Sequence, residues 1–432
     1  MGKFIDFSVI RALGRIGIGL AAVSSMTLLF SDPSLPAKDI WIAIKAGRIQ
    51  TVSQGEIEKG IILIRNDRIE EIGSGVAIPA GAEVFDFGEK FVMPGIVSPD
   101  SNLGIVKPPP REMASWGNLR LETAGKNLAF YPVLYSIDPG HPDYSLALRS
   151  GLTTLALSPP PAGISGLGAV IRPEGESLRD ILVKDRAFLR ISVYVNTPFW
   201  NMLKGSLEEA QRTLDGQKKK KEEAAAKQKE EKKKKKKASK AEEAEDEPTV
   251  SESAKIFMEV IEGKIPILAE CAQPAAALHL LELLSGYPNV RLIVRGGAEI
   301  YKAGVPLKEK NIPVIIEPGI DSKEDFYKPY PELTNYVLKC QAVGLTIAFQ
   351  AQGGIEEQIL LLDHLNELYR SGVKKDVLFQ GITLIPAKLL GIDSSVGSLE
   401  KGKKADLIVL KNDPLEDIPV IEKVILGGKF VQ

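Results

Sequence analysis

Histidine is scarce in this chain of 432 residues: there are three, His141, His279 and His364. A transition-metal centre built on imidazoles needs several of them converging on one point. Here His141 lies in the turn Asp138-Pro139-Gly140-His141-Pro142, while His279 and His364 fall within the helical runs Ala275–Leu284 and Leu360–Leu368. Cysteine is scarcer still. Cys271 and Cys340 are too few for a disulfide framework in a chain this long and are expected as buried thiols. Neither sign of charge prevails: a formal net charge of −1 gives no global field for nucleic acid or an anionic membrane. Long apolar runs are missing as well. Ile16–Phe30 falls short of the ~20 residues that cross a bilayer. It follows Lys3, Arg11 and Arg15 and precedes a segment with two prolines that ends at Ala37, the order of an export signal. The expectation is an exported protein, periplasmic or secreted, cleaved near Ala37 and without a stable membrane span thereafter. An uncleaved anchor is the alternative.

What is present is a regular alternation of patterns. Asp39–Ala46, Gly60–Asn66, Ile69–Ile72 and Glu83–Phe87 are short segments with strand periodicity, a small β domain over residues 38–90. From 91 to 390, strand-like apolar runs (Phe91–Ser98, Thr153–Leu157, Ala187–Val195, Ile265–Ala269, Val290–Val294, Val314–Ile316, Leu345–Phe349) alternate with helical ones such as Pro274–Leu284, Pro331–Val343 and Glu356–Tyr369. Continuous apolar strands separated by helices imply a parallel sheet covered on both faces. A number near eight favours a (β/α)8 TIM-like barrel, with its site past the C-terminal strand ends. Residues 391–432 return to β pattern and are expected to complete the first domain, so the α/β barrel is inserted in a β-sandwich formed by the N- and C-terminal segments. Residues 217–247 belong to neither. From Lys218 to Glu247 there are thirteen lysines against nine acidic residues, with no apolar stripe. This reads as a solvated insertion, disordered or helical, with a charged tether to a partner or anionic surface as the sharper reading.

Three stretches, in order, resemble the amidohydrolase superfamily and its imidazolonepropionase-like, metal-dependent branch. The first is Gly60–Gly104, with Pro79-Ala80-Gly81-Ala82 and Met93-Pro94-Gly95. The second is Ser158–Pro173, with the glycine-rich Gly163-Ile164-Ser165-Gly166-Leu167-Gly168. The third and most specific is Gly381–Gly391 followed by Gly397-Ser398-Leu399-Glu400-Lys401-Gly402 and Ala405–Leu410. The resemblance implies metal-assisted hydrolysis at the barrel mouth, where a divalent ion lowers the pKa of a bound water and an aspartate of the last strand shuttles the proton.

This sequence departs from that pattern at each corresponding position. The two histidine positions of the first strand hold Asp100 and Asn102. Glu270 or Cys271 stands at the fifth strand, Gly296 at the sixth, and Gln352 where the aspartate is expected at the eighth. A replacement site is conceivable from Asp100, Glu270 and Glu317, which all follow strand-like runs. They would hold a hard cation or an acid–base pair if open. They would form a salt-bridged plug if Arg295 neutralises them. Gln350 and Gln352 suit a polar, uncharged floor. A serine triad around Ser158–Ser165 lacks a histidine at a suitable spacing.

The leading expectation is therefore a catalytically inactive amidohydrolase-family protein that has lost its metal site and serves as a binding or scaffold subunit. Its partner would be an active amidohydrolase-fold chain or another copy of itself, and no nucleic acid. No cofactor is expected unless the family function is retained, in which case a divalent metal is. The alternatives are an active hydrolase of non-peptide carbon–nitrogen bonds with an altered site, and an exported small-ligand receptor using the barrel mouth.

Overall fold

The computed structural model describes residues 39–106, 127–233, 250–318, 330–351 and 354–431, with the backbone alone at 225–233 and 330–334. The expected signal at 1–37, with Ala37, and position Gln352 lie outside the described residues. Among the described residues no helix is long and apolar enough to cross a membrane.

Ile40–Gln432 form one compact unit that contains two sheets. The first is built from β1 (Trp41–Gln50), β2 (Glu56–Arg65), β3 (Arg68–Gly73), β4 (Glu83–Asp86) and β5 (Phe91–Pro94) with the C-terminal β14 (Leu407–Leu410), β15 (Ile421–Leu426) and β16 (Lys429–Phe430). β5 pairs antiparallel with β14, Met93 opposite Ile408, so the two ends of the chain share one sheet, as the patterning implied. The alternating residues Ile42, Ile44, Ile62 and Ile64 meet Val92, Leu407, Val409 and Ile425 in a separate small core.

The second sheet runs in the order β13-β12-β11-β10-β9-β8-β7-β6. Its strands are β6 (Ile96–Ser101), β7 (Leu152–Leu157), β8 (Ile164–Ile171), β9 (Leu182–Ser192), β10 (Ile267–Cys271), β11 (Leu292–Gly296), β12 (Val314–Ile316) and β13 (Ile347–Phe349). β13 comes round to approach β6, so the sheet is a nearly closed barrel. Val97, Ala156, Val170, Phe188, Leu268, Ile293, Ile315 and Ala348, one from each strand, pack into a single interior cluster. Ala387 and Leu390 of the helix Leu384–Leu390, with Ile392 and Val396 beyond it, join the same cluster and stopper the end where the parallel strands begin.

The expectation of a parallel barrel sheet is corrected. Within the glycine-rich stretch Ser158–Pro173, Ile164–Ile171 is strand β8, antiparallel to both β7 and β9. The short connection from Leu157 to Ile164 has no room for a crossover helix, so the chain can only double back. The barrel sheet is thus not purely parallel. The insertion expected at 217–247, disordered or helical, is helical along its described part, where Thr197–Lys233 is one helix of 37 residues. Its first half is anchored by buried Phe199, Leu203, Leu207, Ala210 and Leu214 at helical spacing. With nucleation already accomplished there, the Lys-, Glu- and Ala-rich continuation propagates at small cost despite its lysine block.

Glycine is required where the two sheets join. A Cβ at Gly95, between β5 and β6, would sit 2.1 Å from the Thr153 hydroxyl oxygen of β7. At Gly168 of β8 a Cβ would fall 2.1 Å from Cζ of the Phe188 ring. Gly168 thus serves packing of the barrel interior, while Gly166 lets the Tyr131 carbonyl approach β8.

Candidate functional site at the barrel mouth

Side chains two residues on along a strand return to the same face. One step past the apolar interior layer, that rule turns Ser158, Arg190, Glu270, Arg295, Glu317 and Gln350 toward the barrel axis. On β6 the register shifts between Ser98 and Ser101, which brings Asp100 into the same layer, three residues on from Val97. An apolar floor therefore carries a strongly charged second storey.

The charged layer is wired together. Arg190 donates through Nη1 to Asp100 Oδ1 and through Nη2 to Glu270 Oε2 at 2.9 Å. Arg295 Nη1 stands 3.2 Å from Asp100 Oδ2 and 3.6 Å from Glu270 Oε1, and its Nη2 donates to Glu317 Oε1 at 2.5 Å. The hydroxyl of Ser158 donates to Asp100 Oδ1, and that of Ser192 donates to Glu270 Oε2 at 3.1 Å. Three carboxylates and two guanidiniums thus form one network with a formal charge of −1. Asp100 and Arg190 are 2% and 4% exposed. Burial by itself pushes the Asp100 carboxyl up. Arg190 and Arg295 outweigh it, with help from Ser158, and hold the group below the usual carboxylate range. Glu270 is lowered for the same reason, against burial and the neighbouring Asp100 charge. Burial disfavours the Arg295 charge, but Asp100, Glu317 and Glu270 raise its pKa further above the ordinary arginine value.

The structure brings together Asp100, Glu270, Arg295 and Glu317. Gln350 follows β13 on the inward face and is buried, with no hydrogen-bond partner for its Oε1 among the described residues. Asn102 is exposed in the turn after β6, outside the network. Gly296 ends β11 against Ile300, which a Cβ there would strike at 2.5 Å, and it presents nothing to the mouth. Cys271 is buried behind Glu270, its thiol pushed up to about 12 by burial and by the Glu270 charge. Sequence reasoning missed Arg190, Ser158, Ser192 and Gln358. Arg190 was findable: in Phe188-Leu189-Arg190-Ile191-Ser192 it is the lone charge of the buried half of β9, on the face shared with Phe188. Gln358, on the short helix Ile355–Gln358, is buried, donates to Ser101 Oγ at 3.3 Å and leaves its own Oε1 unpartnered among the described residues. No strand pattern marks it.

The histidines stay away. His141 Nδ1 accepts the backbone N–H of Asp143, His279 meets the edge of Trp200, and His364 is half-buried on the helix Leu361–Arg370 with its pKa lowered by burial. Among the described residues no group of three or more His, Cys, Asp or Glu is arranged to hold a metal ion. The donor set does not suit the divalent ion implied by the resemblance. Each carboxylate of the mouth already faces a guanidinium. A dication about 4 Å from a guanidinium would be repelled by roughly 8 kcal/mol at an effective dielectric near 20.

Residues 353–431 match the Amidohydrolase family. A stretch of 56 residues is 39% identical to the dihydroorotase of Trichlorobacter lovleyi, and one of 56 residues is 45% identical to that of Geobacter sulfurreducens. The match spans 13% of this chain and 13% of the length of each of those curated relatives. A crystal structure of an amidohydrolase from Thermotoga maritima superposes with a TM-score of 0.73 at 23% identity, over 90% of this chain and 99% of that one. A prolidase complexed with N-methylphosphonate-L-proline superposes at 0.54 and 14% identity, over 91% and 99%. The resemblance read from the three motifs is thereby met twice, by a family match at the most specific motif and by a shared fold along nearly the whole chain. That fold is the TIM-like barrel with a separate β-sheet domain.

Proposed function

We propose that this amidohydrolase-fold chain is a non-catalytic member of its superfamily that acts as a binding or scaffold subunit. The observation that supports this reading is the occupation of the barrel mouth by Arg190 and Arg295, which bridge Asp100, Glu270 and Glu317. Metal-assisted hydrolysis needs a cation with an open coordination position and a water poised beside a base. Fixed guanidiniums supply charge balance in place of a metal, and a carboxylate held well below the usual range is a poor base. The geometry is that of an ion-paired network, which stiffens the barrel end instead of turning over a substrate. Partnership with an active amidohydrolase-fold chain, export by the N-terminal segment and the absence of turnover all belong to this proposal.

The test is metal content after native purification, joined to assays on cyclic amides, dipeptides and lactones. Substoichiometric zinc, iron and manganese with no turnover is expected. Stoichiometric transition metal together with turnover that Asp100→Ala abolishes would overturn the reading.

A second reading, a receptor for a small ligand, is favoured by one feature. Gln350 Oε1 and Gln358 Oε1 are buried acceptors without a hydrogen-bonding partner among the described residues. Acceptors of this kind suit a ligand rich in N–H donors, or ordered water. Isothermal titration with short primary amines and amides separates the two, since the scaffold reading expects no heat of binding there.

A further inference from the structure

The opposite end of the barrel holds a cleft that the mouth does not use. It has a volume of about 590 Å³ and lies where β10, β11 and β12 begin, beside the stoppering helix Leu384–Leu390. Its inner wall is apolar, with Leu284, Leu292 and Ile312 among its residues. Its rim is cationic: Arg291, Lys310 and Lys388 all line it, and no aspartate or glutamate does. The Arg291 guanidinium is held in place by the carbonyl oxygens of Gly263 and Lys264, both at 2.9 Å, acceptors that fix its position without neutralising it. Lys184 adds to the same field from behind. Its ammonium donates to the Leu390 carbonyl oxygen at 2.7 Å, and burial, followed by repulsion from Arg291, lowers its pKa. Elsewhere the described surface pairs many of its cations with carboxylates, as in Lys375 with Asp413 and Glu416 or Arg48 with Glu56. Here no carboxylate among the described residues lines the cleft beside these cations.

From this juxtaposition of an apolar wall and an unbalanced cationic rim we propose that the cleft is a binding site for an amphiphilic organic anion, a medium-chain carboxylate being the simplest case. The chain would lie along Leu284, Leu292 and Ile312. The headgroup would sit among Arg291, Lys310 and Lys388, with the Tyr287 hydroxyl, also in the lining, available as a donor. A bare inorganic anion would leave the apolar wall wet, and a neutral amphiphile would leave the rim unpaired, so each would bind more weakly. The site is independent of the barrel-mouth network and of whether the protein has any activity.

The test is isothermal titration of the full-length protein with sodium decanoate below its micelle concentration, beside 1-decanol, decyltrimethylammonium and inorganic phosphate. Lys310 and Lys388 are exposed, so Lys310→Glu and Lys388→Glu are expected to fold normally, which a thermal melt checks. Decanoate is expected to bind more tightly than the other three. Each single reversal should weaken it about three- to fivefold, and the double reversal roughly tenfold or more, with a matching loss of salt dependence. Decyltrimethylammonium or 1-decanol binding as tightly as decanoate would overturn the charge assignment. Phosphate binding as tightly would overturn the amphiphile assignment. Decanoate binding unchanged in the folded double variant would place it elsewhere and overturn the site.

Discussion

Replacing Arg190 by methionine keeps most of the side-chain volume and removes the charge that holds the barrel mouth together. The Asp100 carboxylate, 3% exposed at its side chain, then keeps only the Ser158 hydroxyl and Arg295 Nη1 at 3.2 Å. Breaking a buried ion pair by removing one partner costs about 3–5 kcal/mol. Because Arg295 remains, the lower end is expected, about 3 kcal/mol. Glu270, a third exposed, adds less than ~1 kcal/mol after solvent screening. Adding Asp100→Asn removes the stranded charge and should recover about 2 kcal/mol, a coupling that two independent sites would not give. The acid dependence has a definite sign. In the native protein Asp100 is held below the ordinary value near ~3.9, so its stabilisation is present above that pH and is lost as pH falls through the folded pKa. In Arg190→Met burial gains the upper hand and the carboxyl moves up. The gap between the variant and the native protein should therefore narrow on acidification, as the variant takes up a proton first. Urea unfolding followed by circular dichroism at several pH values measures all three quantities. A loss under ~1 kcal/mol, or strictly additive effects of the two substitutions, would refute the network as described.

Three other perturbations test separate parts of the structure. Gly168→Ala drives a methyl group into the Phe188 ring and should cost about 1–3 kcal/mol, partly restored by Phe188→Leu in the same chain, as read by thermal melts. Asp413, 1% exposed at its side chain, accepts from Arg48 at 3.0 Å and from Lys375 at 2.5 Å, tying the segment after β14 to β1 and to the helix Lys375–Ile382. Because both partners are partly solvated, Asp413→Ala should lose about 2 kcal/mol, with a lower denaturation midpoint. Cys271 and Cys340 are buried with thiols pushed up to about 12, so a chromogenic disulfide reagent at pH 8 should find neither in the native protein and both after unfolding.

The parts of the fold that were readable are those with a strong local period. Residues 152–157, 267–271 and 314–316 read as strands because each is a run of apolar or β-branched residues with little competing pattern. The return to β pattern after residue 391 was readable because Gly427 and Gly428 mark the turn between β15 and β16. The helix expected over Glu356–Tyr369 is interrupted: Ile355–Gln358 and Leu361–Arg370 are separate, with Ile359 and Leu360 exposed at the break. Nothing in the apolar spacing marks that break. At the site, Asp100, Glu270, Arg295 and Glu317 were legible because charges that end buried strands need an explanation. Arg190, two residues inside its strand end, was overlooked although its charge stands out among apolar neighbours, whereas Ser158 and Gln358 are unremarkable polar residues.

The sequence by itself determined that the chain is an α/β barrel with a small β domain made from both its ends, and that none of its three histidines ends a strand-like run. Those conclusions rest on periodicity and residue identity, which are local. Only the tertiary structure decided what the charged residues at the strand ends do. Whether three carboxylates make an open ion site or a closed plug depends on which cations reach them across the barrel. Strand pairing brings Arg190 beside Asp100 and Glu270 although they are 90 and 80 residues apart in the chain. The antiparallel return of β8 and the register shift in β6 complete that arrangement, and both are properties of hydrogen bonding between strands that no single segment carries.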